Sequence, residues 1–186
     1  MMVSAGTLHV VSTELTVGAF AMAGLAFLLA GLSSHGLLGL QRHLNLMDHV
    51  AHFALAFGLL AMPMAILTGI QASPGEGIDH PLLINKMLLA SASFGLAFGV
   101  LLSRRTHGVT LWDDTWGSRC QTMGGMAASG LILATASIGG TFSRGESLLD
   151  MFHLPYEQVP IFPIWLSGII VMMALANLAM MRRSHA

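Results

Sequence analysis

The stretch "LMDHVAHFAL", residues 46–55, places Asp48, His49 and His52 where a long apolar run begins. Imidazole is an ordinary axial ligand of haem iron, so these residues point first to a haem or another metal. His49 and His52 are three apart and fall on nearly one face of a helix. They therefore do not clamp one porphyrin from both sides, because axial ligands approach from opposite faces. The arrangement that remains uses His52, about a turn further in, as one ligand. His107, Met123 or His35 would be the second, with His49 against a propionate. A chlorophyll-type pigment would need only one histidine on its magnesium. The competing reading is a polar collar: Asp48 near a helix N-terminus, where negative charge is favoured, and His49 reaching headgroups or loop carbonyls. We read Asp48 and His49 as that collar. His52 is the exception, because a buried imidazole needs a partner, either a polar atom of a neighbouring helix or a cofactor metal.

A second set lies at the opposite boundary. Glu76, Asp79, His80, His9, Glu14 and His153 come from three loops or helix ends. Imidazole with carboxylate suits zinc, copper or iron, which makes Asp79, His80 and His153 the candidate metal ligands. No HxxxH or HxH spacing supports them, and "DHP" serves equally as a cap before a helix with Pro81 in its first turn.

The elements that must position these side chains are membrane spans. Hydrophobic residues are 54% of the 186 and charged residues 9%, far from the quarter that soluble domains carry. The net charge of −1 leaves no basic field for nucleic acid, and one cysteine, Cys120, excludes an internal disulfide or a cysteine metal cluster. Five apolar runs, about 11–33, 47–70, 83–104, 120–140 and 161–181, are each near the length that crosses a bilayer as a helix. The first has no Lys or Arg before it and is expected to be a retained span. The expected fold is an all-α integral membrane protein, a single five-helix transmembrane bundle over residues 1–186 with short interfacial helices in its loops.

Cations set the expected orientation. Arg42, Arg104, Arg105, Arg119, Arg182 and Arg183 fall on one side, Lys86 and Arg144 on the other. This places the C-terminus in the cytoplasm and the N-terminus outside. In "TLWDDTW", Thr110 stands three before Asp113 and two tryptophans sit at helical spacing, as in an interfacial helix of the aromatic belt. "RGESLLDMFHL" repeats the capping pattern at Ser147 and Asp150 before an amphipathic stretch, either a surface helix or a cover over a quinone pocket. Pro63 lies inside the second run and is expected to kink it. Ser91, Gly95 and Gly99 recur at four-residue spacing, a ridge that lets another helix approach closely.

"FGLLAMPMAILTGIQA", "HPLLINKMLLASASFGLAFGVLLSRR" and "SGLILATASIGGTFSRGESL" together resemble an uncharacterised family of small four-helix membrane proteins. The pattern is a Thr-Gly closing one helix, an Arg-capped next helix, and Gly-Gly followed by Gly after the last, over roughly residues 47–148. Such families resemble membrane subunits that accompany respiratory components, which implies electron transfer or support for it and assigns no site residue. Strongly polar candidates in or near the spans are few, namely Asn85, Lys86 and Asn177, too few for an ion path. No nucleophile constellation stands out. The expected function is an accessory subunit of a multi-subunit redox or energy-transducing membrane complex, in contact with other membrane subunits and lipids. The alternative is a membrane cytochrome subunit holding haem b, or a pigment, and taking electrons from quinol.

Overall fold

The computed structural model describes residues 4–72, 80–153 and 156–158. Asp79, Glu76, Asn177, Arg182, Arg183 and the expected fifth span at 161–181 lie outside them. The described residues form four long helices and no strand: α1 Ala5–Ser34, α2 Leu44–Ala72, α3 Pro81–His107 and α4 Thr115–Arg144. All four are long and apolar enough to span a membrane. Each is longer than the apolar run that announced it. A 30-residue helix such as α1 rises about 45 Å, more than the roughly 30 Å of hydrocarbon, so its ends continue into the headgroups.

Local chemistry fixes the ends. Ser4 caps α1 by accepting from the Thr7 N–H at 3.2 Å. His80 caps α3 in the same way, Nδ1 accepting from the Leu82 N–H at 3.2 Å, with Pro81 at the first position. Asp114 caps α4, accepting from the Gly117 N–H at 2.6 Å. Gly145 ends α4 at φ 73°, a left-handed conformation that a side chain would strain. Pro63 lies within α2, where it removes a hydrogen bond to the Leu59 carbonyl.

The loops differ from expectation in one respect. Thr110 and Asp113 do not form a capping box, because the Thr110 hydroxyl turns back to the His107 carbonyl at 2.7 Å. Residues 108–112 make a 3-10 turn instead, which buries Trp112 while Trp116 stays 73% exposed. The two tryptophans therefore serve different environments. Ser147 and Asp150 do form the reciprocal capping box, at the start of a second 3-10 turn over Leu148–Phe152.

α1 is the centre of the bundle. It packs along α2 on one side and α4 on the other, α4 in turn packs on α3, and α2 touches α3 only lightly. Phe20, Phe27, Leu55, Ala23 and Ala51 are fully buried at the α1 interfaces. Close approach there relies on small residues. A Cβ on Gly58 would come within 2.6 Å of the Phe20 ring, and one on Gly24 within 2.8 Å of Ser129. A smaller cluster of Leu82, Leu89, Ile138 and Tyr156 joins α3 and α4 at the far end, where Asn85 donates to the Tyr156 carbonyl at 2.6 Å.

The segment after α4 is tied down by one carboxylate. A hydrogen bond from the Tyr156 hydroxyl, joined by one from the Ser147 N–H, holds the Asp150 carboxyl below the ordinary carboxylate range. A group with a depressed folded value stabilises the fold above its unfolded pKa and loses that contribution as pH falls through the folded value. The tether is therefore expected to hold at neutral pH and to loosen on acidification below the ordinary carboxylate range. Asp150→Asn should loosen it already at neutral pH. Limited proteolysis near Leu148–Phe152 and the absorbance of the single tyrosine measure this; protection indifferent to both acid and substitution would contradict it.

Candidate functional site

The opening residues do come together with others, around Asp48. This residue lies in the second turn of α2 and is only 1% exposed. A carboxylate so placed loses several kcal/mol of hydration, which only well-aimed donors offset. Three side chains supply them. Arg104, in the last turn of α3, donates from Nε at 3.0 and 3.1 Å to the two oxygens and from Nη2 at 2.7 Å to Oδ2. That fork makes the strong, geometrically specific form of an ion pair. Trp112 donates its indole N–H to Oδ1 at 2.7 Å. His52, one turn along α2, brings Nδ1 to 3.0 Å from Oδ1 and 2.8 Å from the Asp48 carbonyl.

The imidazole geometry assigns its hydrogen. Nδ1 faces two oxygens that only accept, so Nδ1 carries the proton and the neutral ring's lone pair is on Nε2. Nε2 is buried and makes no hydrogen bond to a described residue. Beside the ring stands Phe27 of α1, edge to face, with centroids 5.0 Å apart. Asp48 is thus a buried hub rather than part of a boundary collar, because α3 and the 108–112 turn close over it. His49, by contrast, is exposed at that boundary, with Nδ1 2.7 Å from the Asn45 carbonyl of its own helix.

The other haem candidates stand at exposed positions. His107 is exposed at the end of α3, its Nδ1 3.0 Å from the Ser103 carbonyl. His35 is exposed at the end of α1, and Met123 is 71% exposed on α4. Of the metal candidates, His80 is engaged as the cap of α3 and His153 closes the Leu148–Phe152 turn at φ 51°. Asp79 lies outside the described residues, and among those described no three His, Cys, Asp or Glu side chains form a metal-holding group. Sequence reasoning missed Arg104 and Trp112 as partners. Their signal was available: a carboxylate at the start of one apolar run and a guanidinium at the end of another, on the same expected side.

Removing Arg104 should cost more than the pair is worth, since Asp48 is left buried and charged. Arg104→Gln, which leaves the Asp48 carboxylate buried without its cation, is expected to lower stability by about 3–5 kcal/mol, and Trp112→Phe by about 1–3 kcal/mol. Asp48→Asn combined with Arg104→Gln should cost clearly less than the sum of the two single changes. Unfolding titrations in detergent micelles measure all four variants. A stable Arg104→Gln protein, or strictly additive effects, would show that the network does not hold the helices.

Compared with protein-family models, curated proteins and solved structures, the chain matches none, so its site is read from its own geometry.

Proposed function

We propose that this chain is an integral membrane accessory subunit of a multi-subunit redox or energy-transducing complex, spanning the membrane five times with its N-terminus outside. The observation that supports this reading is an open small-residue ridge. Where glycines of α1, α2 and α4 face inward, a neighbouring side chain fills the space above them, as Phe20 does at Gly58 and Ser129 at Gly24. On α3, Gly95 and Gly99 have nothing within 4 Å of a would-be Cβ, and Ser91 is exposed beside them. They lie opposite the buried face of α3 formed by Leu89, Ser93, Ala97 and Val100. A Ser-xxx-Gly-xxx-Gly face of this kind favours close contact with another helix over contact with lipid tails. The polar groups within the bundle fit a structural role as well, since they bond to one another: Ser12 to Thr68 at 3.1 Å, and Ser93 to the Ala128 carbonyl at 2.7 Å.

A second reading has one observation of its own. The buried, unbonded Nε2 of His52, with Nδ1 oriented by Asp48, is the donor atom and orientation that an axial ligand needs. Haem b or a pigment would meet His52 there, with His52 as its only inward-facing candidate.

One preparation separates these readings. Tagged protein extracted from its native membrane in mild detergent is expected to migrate within a larger assembly, and Gly95→Leu should release it. A reduced-minus-oxidised visible spectrum of the same material should show redox centres that survive His52→Ala. Migration as a lone chain in both forms would overturn the subunit reading. Loss of a Soret band in His52→Ala would replace it with the cytochrome reading.

A further inference from the structure

Two acids lie within the described transmembrane helices, and they are treated in opposite ways. Asp48 is matched by three side chains. Glu14, the other, makes no side-chain hydrogen bond or ion pair with any described residue. It is the tenth residue of α1, which puts it about 6 Å inside the hydrocarbon when a 30-residue helix is centred on the bilayer. An ionisable group at that depth marks a binding or transport position and needs a counterpart.

Glu14 opens into a crevice of about 520 Å³ between α1 and the end of α4. Arg144 and Glu146 stand on its rim, and they too are unpaired among the described residues. Val17 and Leu133 form apolar walls below. Ser137 of α4 pins the following turn in place, accepting from the Leu148 N–H at 2.5 Å and meeting the Ser147 hydroxyl at 2.9 Å. The crevice therefore combines apolar walls with two carboxylates and one guanidinium.

We propose that this crevice binds a phospholipid whose headgroup carries a primary ammonium beside its phosphodiester. The guanidinium of Arg144 matches the phosphodiester, for which Arg has the right donor geometry. Glu14 and Glu146 match the ammonium, whose N–H groups donate to both. The acyl chains then run down the apolar walls toward Val17 and Leu133. Other occupants leave one or more of these three groups facing no opposite charge. An anionic headgroup without the amine brings a phosphate against two carboxylates. A neutral quinol leaves the guanidinium and both acids without counter-charge. A metal ion would face Arg144 with two acids as its ligands.

The test uses the full-length protein, delipidated in detergent and supplied with phosphatidylethanolamine, phosphatidylcholine or phosphatidylglycerol of identical acyl chains. Native mass spectrometry counts the lipid retained. Phosphatidylethanolamine is expected to be held about tenfold more tightly than the other two, the worth of one charge-assisted contact. Glu14→Gln should abolish the preference and Arg144→Gln should weaken retention of all three lipids alike, while unchanged tryptophan emission shows that the bundle remains folded. Equal retention of the three lipids, no retention of any, a preference unaltered in Glu14→Gln, or retention unaltered in Arg144→Gln would overturn the assignment. Soluble phosphoethanolamine binding as tightly as the lipid would also overturn it, in favour of a water-soluble zwitterion.

Discussion

The charge on Asp48 is the constraint around which one end of this bundle is organised. A carboxylate sealed from water between apolar helices is tolerable only when its lone pairs are met, and meeting them draws in α3 through Arg104 and the connecting turn through Trp112. That demand explains why residues 108–112 fold as a tight 3-10 turn rather than a free surface helix: the indole has to reach inward. It also supplies what packing alone does not. α2 and α3 have little direct contact, so the fork between Asp48 and Arg104 is the main tie across that gap.

The polar groups of the spans otherwise divide by purpose. Serines and threonines on inward faces return their hydroxyls to carbonyls one turn back, as Thr16 does to Ser12 and Ser129 to Gly125. Such bonds satisfy the group without committing the helix to a partner, and they leave room for the tight crossings of α1 with α2 and α4. His52 is different in kind. Half of its ring is fixed by Asp48 and the other half is turned into an apolar setting beside Phe27.

Much of the architecture was legible in the sequence, because a bilayer imposes length and composition directly. The runs at 11–33, 47–70, 83–104 and 120–140 all lie within the four described helices, and the cap at His80 and the Ser147–Asp150 box follow from local rules. The Asp48 network was not legible, although each member was visible. Asp48 and Arg104 are 56 residues apart, and composition says that a charge needs a partner without saying which. Trp112 was read as a belt residue because aromatic spacing looks the same whether a ring faces lipid or a buried acid. Glu14 was counted among boundary acids since the first apolar run hid how far α1 extends toward the N-terminus.

The separation of Asp48 from Arg104 also bears on how the chain enters the membrane. During synthesis the α1–α2 hairpin emerges first, carrying an acid whose cation is still 56 residues away in the ribosome. An acid at a helix centre costs about 2.5–3.5 kcal/mol to insert, and less nearer the end. The amino end of α2 thus carries an acid without its counter-ion until α3 arrives. Arg104 then neutralises it, and the two helices settle together as a pair. The order of the genetic text thereby becomes an order of assembly, with α3 acting as the clasp that commits α2 to the lipid.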